Sequence, residues 1–151
     1  MLRQQLSEAL KEAMRSKDQR TLATVRLIMA GLKDRDIQAR TSGAGDCIGD
    51  DEILDLLQKM VKQRREAMEI YEKGNRNDLV EKEAAEIEVL ERFLPRQLDE
   101  NETKAAVDEM IQELDAGNVK DMGRVMAALK ERYAGRMDFA RASQQVKQAL
   151  V

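Results

Sequence analysis

Between Val119 and Gly135 the chain reads VKDMGRVMAALKERYAG, and Lys120, Arg124 and Lys130 within it suit one chemistry, the pairing of cations with an anion. Gly123 and Ala127 stand among them, four residues apart and so on one side of a helix. With Lys120 set at zero and an advance of about 100° per residue, Met122, Val125, Met126, Leu129 and Tyr133 gather on the far side, where a core belongs. Lys120, Arg124, Ala127 and Glu131 face outward, with Gly123 and Lys130 at the edge. A glycine inside a helix costs about 1 kcal/mol relative to alanine. Two arrangements would offset that. Another helix could pack closely on the small residues. Alternatively, a sugar-phosphate backbone could approach where no side chain blocks it, its phosphates meeting the three cations. Arg132, Arg136, Arg141 and Lys147 extend the positive field. Cations at a helix start oppose the macrodipole, a mild cost that points to an outside anion. The candidate RNA-binding residues are therefore Lys120, Gly123, Arg124, Lys130, Arg132, Arg136, Arg141 and Lys147.

Other chemistries lack their groups. The chain has no histidine, so it has no imidazole base or ligand. Cys47 sits beside Asp46 in the loop TSGAGDCIGD with no nearby cation to lower its pKa. That loop lacks the Gly-Lys-Ser/Thr of a phosphate loop. Glu81, Glu83, Glu86, Glu88 and Glu91 crowd one segment, but di-metal bundles need Glu-x-x-His pairs, and a solvated acidic face is the expectation. No catalytic residue, metal site or cofactor is assigned. Tyr133 and Phe139 are the only rings after Phe93, which disfavours reading single strands by stacking. A folded RNA recognised by shape and backbone fits better, and duplex DNA is not an expected partner. Lys62, Arg64 and Arg65 offer a second contact, with a solvated helix face as the plainer expectation.

The elements that position these residues read as helices throughout. Aromatics are 3% of the chain and charged residues 36%, and good helix formers dominate. The predicted helices run from about Leu2 to Arg15, Asp18 to Arg40, Asp51 to Lys73 and Asn77 to Phe93, then 100–114, 119–133 and 138–150. Leu2, Leu6, Leu10 and Met14 form the first stripe, and Leu79, Val80, Ala84, Ile87 and Leu90 the fourth. Asp50 or Asp51 should cap the third helix, Asn77 the fourth and Asp138 the last. Gly74 suits the stop of the third helix. Asp99 with Glu102 fits a capping box. Pro95, the only proline, marks a boundary. The expected architecture is all-α, an N-terminal four-helix domain at 1–94 followed by a small three-helix tail domain at 95–151.

Charge is uneven along the chain. The net value is −3. Residues 1–115 carry 19 Lys+Arg against 26 Asp+Glu, whereas 116–151 carry 7 against 3, so the last quarter is basic on an acidic body. One cysteine, no apolar leader and no window near the ~20 apolar residues that span a bilayer predict a cytoplasmic protein with no membrane partner.

The stretches VKQRREAMEIYEKGNRNDLVEKEAAEIEVLERFLPRQL and VKDMGRVMAALKERYAGR resemble the YqeY-like family. The C-terminal part is similar to the tail domain of the GatB subunit of glutamyl/aspartyl-tRNA amidotransferase. The resemblance implies a tail that meets the outer corner of tRNA, with Lys120, Met122, Gly123 and Arg124 on its signature helix start and Gly135–Arg136 on the turn after it. It also implies an aminoacyl-tRNA synthetase or amidotransferase as partner, or membership of a carbon–nitrogen ligase using glutamine as amide donor. No residues for that ligase chemistry are evident. Met137-Asp138-Phe139-Ala140 stands where relatives tend to have Ala-Asp-Gly-Lys, so a loop cation is replaced here. The expected function is a non-catalytic tRNA-binding or tRNA-handling accessory protein, with a protein-interaction adaptor as the alternative.

Overall fold

A computed structural model describes Met1–Val151. The chain is all-α, with no strand. Its helices are α1 (Leu2–Ser16), α2 (Gln19–Thr41), α3 (Asp50–Lys73), α4 (Asn77–Glu91), α5 (Glu100–Glu113), α6 (Met122–Arg132) and α7 (Phe139–Leu150). A 3-10 turn at Val119–Asp121 precedes α6. The chain divides into two compact units, Met1–Pro95 and Arg96–Val151.

In the first unit α3 lies along α4, α1 along α2, and α2 also meets α4. Leu6, Ile28, Ile53, Leu57 and Leu90 fill the centre. The α1 stripe differs from expectation. Four-residue steps drift about 40° each, so Leu10 is only half-buried and Met14 is exposed. Ala13 returns to the Leu2 side and is buried in its place. On α4, Ala84 is exposed and Val89 takes a core position. Two caps also differ. Gly49 precedes α3, and Asp50, Asp51 and Glu52 occupy its first turn, where carboxylates suit the macrodipole. Gly74 ends α3 as expected, and Asn75 after it takes the left-handed conformation (φ 56°), one that asparagine tolerates. Arg76 is then the residue before α4, and Asn77 is its first helical residue.

One polar cluster ties the long loop to this unit. Arg3 Nη1 and Nη2 donate to the two oxygens of Asp36 at 2.8 and 3.0 Å. Asp36 also accepts the Ile48 N–H at 2.9 Å, and Arg3 donates to the Ile48 carbonyl at 3.0 Å. Ile48 is thereby held in the core. The Arg3 guanidinium and, after it, the Ile48 amide draw the Asp36 carboxyl down to about 2, against desolvation acting the other way.

In the second unit all three helices meet one another around Val107, Met110, Val125, Leu129, Met137 and Val146. Asp99 and Glu102 form the capping box at α5, and Asp138 caps α7 through the Ala140 and Arg141 amides. Arg96 grips both Glu102 oxygens at 2.9 and 2.7 Å. Leu98 donates to the Arg136 carbonyl at 2.8 Å and Gln97 Nε2 to the Gly135 carbonyl at 2.6 Å. Residues 96–98 are thus laced to the α6–α7 turn, where Gly135 takes a φ of 76° that favours glycine. Met137 is fully buried and Phe139 packs against the same core. Ala140, at the position of the missing loop cation, is exposed, and it is Met137 and Phe139 before it that serve packing.

Candidate nucleic-acid interface

The predicted single helix from Val119 is two elements. Asn118 accepts the Lys120 N–H at 2.9 Å, and the Asp121 carboxylate accepts the Gly117 N–H at 2.9 Å. These bonds stabilise the 3-10 turn, so α6 begins at Met122. Lys120 stands on the turn, and the 100° periodicity that placed it opposite the core does not govern it. Gly123 and Arg124 are the second and third residues of α6.

Beyond the turn, the exposure follows the helical period. Val125 and Leu129 are fully buried, and Met122, Met126 and Tyr133 are half-buried. Gly123, Arg124, Ala127, Lys130 and Glu131 are exposed, as is Lys120. A Cβ built on Gly123 would meet nothing within 4 Å. No second helix closes on this glycine, which removes the helix-packing explanation for it.

The cations around it differ in how free they are. Lys120, Lys130 and Lys147 enter no ion pair. Arg124 reaches Asp121 at 3.4 Å, a long approach, and its side chain stays 53% exposed. Asp121 is held below the usual carboxylate range chiefly by the Gly117 amide, with Arg124 a lesser cause. Arg132 instead donates to both Glu113 oxygens on α5, at 3.1 and 2.8 Å, which raises its pKa and lowers that of Glu113. Arg136 points its Nε at the Arg96 carbonyl, 3.5 Å away. Arg141 lines a cleft between α5 and α7, and Lys147 lies about 120° around α7 from it. The eight sequence-selected residues do not form one patch. Gly123, Arg124 and Lys130 are exposed on α6 and Lys120 is exposed on the turn before it, while Arg132 and Arg136 engage Glu113 and the Arg96 carbonyl and Arg141 lines the cleft.

The cationic triplet on α3 is also used internally. Arg64 Nε donates to Glu86 at 2.9 Å with both side chains largely buried, and Arg65 reaches Glu91 at 2.8 Å. Glu86 and Glu91 of the acidic segment are therefore partners for α3 rather than a purely solvated face, and the second RNA surface is left with one of its three cations. Sequence reasoning also missed Arg3 and Asp36. Asp36 follows Ile28 and Leu32 at four-residue steps, and a carboxylate on a buried stripe is a signal that a cation awaits it.

Residues 3–150 match the family described as Yqey-like protein. The chain belongs to the YqeY-like family. Among curated relatives, the family member named altered inheritance of mitochondria protein 41, mitochondrial, is 34% identical in Lachancea thermotolerans over 75% of this chain and 59% of that protein. The Pyrenophora tritici-repentis protein of the same name is 34% identical over 84% of this chain and 70% of its own length. In Kluyveromyces lactis the figures are 32%, 58% and 45%. The chain spans about half the length of several curated relatives it matches. Their names place these relatives in mitochondria, which corrects the cytoplasmic expectation. The expectation rested on a single cysteine and the lack of an apolar leader, and neither distinguishes the cytoplasm from another reducing compartment. No helix is long and apolar enough to cross a membrane.

Proposed function

We propose that this family member is a non-catalytic tRNA-binding or tRNA-handling accessory protein, linked to tRNA-dependent amidation through the similarity of its second unit to the GatB tail. Phosphates of the folded RNA dock on the outer side of α6, where Lys120, Arg124 and Lys130 supply charge. Gly123 lets the backbone come close, and the Lys147 ammonium adds to the field. The observation that carries this reading is the empty space beside Gly123, bordered by cations with no buried partner. With a net charge of −3, the chain binds weakly or with help from a partner rather than as a general polyanion binder.

Titration of bulk tRNA and of duplex DNA by filter binding, at salt from about 50 to 200 mM, tests it. tRNA should bind and duplex DNA should not. The Lys120→Ala/Arg124→Ala double variant should weaken tRNA binding and reduce the salt slope by about one unit for each phosphate left without its cation. Unchanged affinity and slope would refute the site.

A further inference from the structure

A separate feature of the second unit is the cleft of about 700 Å³ between α5 and α7. Glu100, Lys104 and Asp108 line its α5 wall at four-residue steps, in the order negative, positive, negative. Such spacing usually lets neighbours pair along a helix, yet none of the three forms an ion pair. Arg141, Gln145 and Gln148 line the α7 wall. The Gln145 side-chain oxygen is buried and has no hydrogen-bond partner. An acceptor removed from water and left unmatched costs free energy until a donor meets it.

The lining is electrically balanced, with Glu100 and Asp108 against Lys104 and Arg141, and it has no aromatic ring. A phosphate backbone calls for net positive charge and an unstacked base calls for a ring, so RNA suits this cleft poorly. Its length and charge order suit a helix instead. The eight helical steps from Glu100 to Asp108 span about 12 Å, and that length of a helix about 10 Å across occupies on the order of 900 Å³. A fourth helix lying there would complete a bundle around α5 and α7.

We propose that the α5–α7 cleft is a protein-docking site for a polar helix of a partner, bearing basic, acidic and basic side chains at every fourth position. Its basic residues meet Glu100 and Asp108, its acidic residue meets Lys104, and one of its donors satisfies the Gln145 oxygen. This surface is distinct from the outer side of α6 and does not depend on RNA binding there.

The test is a titration of the full chain, followed by backbone amide NMR, with a synthetic alanine-based helical peptide carrying Lys, Glu and Lys at successive fourth positions. The charge-reversed Glu–Lys–Glu peptide is the control. The first peptide should give saturable shifts at Asn101, Lys104, Gln145 and Gln148, and the control should bind more weakly. Lys104→Glu, an exposed change that leaves the core intact, should weaken the first peptide about two- to five-fold, the size of one exposed ion pair. Gln145→Leu should weaken it as well, without altering the spectrum of the first unit. Absence of saturable shifts, equal binding of both peptides, or shifts of these amides by tRNA in place of peptide would overturn the proposal.

Discussion

Gly31 in α2 and Gly123 in α6 are both helical glycines, and they answer opposite needs. A Cβ at Gly31 would stand 3.3 Å from Leu56 Cδ1 on α3, whereas one at Gly123 would meet nothing within 4 Å. The first glycine is small because a helix crosses close to it. The second has no protein neighbour to account for it. The cations divide in the same way. Arg3, Arg35, Arg64 and Arg65 close on Asp36, Asp55, Glu86 and Glu91 at 2.8–3.0 Å. Lys120 and Lys130 close on nothing, and Arg124 has only the long approach to Asp121. Residue type is shared between the two regions. What each residue faces separates a structural role from an available surface.

The largest effect should come from breaking the most extensively hydrogen-bonded pair of the first unit, Arg3 with Asp36. Asp36→Ala strands the Arg3 guanidinium and the Ile48 amide together. Because the Arg3 side chain is 39% exposed it can turn toward water, so the loss should be about 2–3 kcal/mol, below that of a fully buried pair. Urea unfolding should show it in the transition of the first unit, with the second unit unmoved. Acid probes the same group. The folded carboxyl is depressed to about 2, so its contribution is fully present above the ordinary aspartate range and is lost as pH falls from about 4 through 2. That contribution is roughly 2 kcal/mol. Stability measured across that window should fall in the parent chain and should fall less in Asp36→Asn.

A leucine at each glycine gives the next largest separation. Gly31→Leu drives a side chain into Leu56 and should destabilise by about 2 kcal/mol through overpacking. Gly123→Leu enters open space on an exposed face and should leave stability unchanged or raised by a few tenths of a kcal/mol. Thermal unfolding of both variants measures the difference. Equal destabilisation at the two sites would mean that Gly123 is also a packing position.

Periodicity made the helices and the buried side of α6 legible, because Val125 and Leu129 repeat at the spacing a helix imposes. It failed on α1, where a strict four-residue repeat runs ahead of the 3.6-residue turn and carries Met14 into solvent. It also missed the 3-10 turn at Val119–Asp121, whose cause is the local competition of Asn118 and Asp121 side chains for backbone amides. The exposure of Lys120, Arg124 and Lys130 was readable. The capture of Arg132 by Glu113 and of Arg64 by Glu86 was not, since those partners lie 19 and 22 residues away and are set by how helices pack.

The smallest change is also the most selective. Gly123→Ala adds one methyl group where nothing else stands, at the second residue of a helix with an ordinary helical backbone. Glycine gives up the larger backbone entropy on folding, so alanine should raise stability by about 0.5 kcal/mol, less than in a helix centre because the first turn is less constrained. A phosphate backbone seated against the glycine would be held off by that methyl, so tRNA affinity should fall while the salt slope keeps its value, since no charge has been removed. The Lys120→Ala/Arg124→Ala variant should instead lower both. Two variants on one surface then report different physical terms, closeness and charge. A more stable Gly123→Ala protein with undiminished tRNA binding would show that the open space beside α6 is not where the RNA lies.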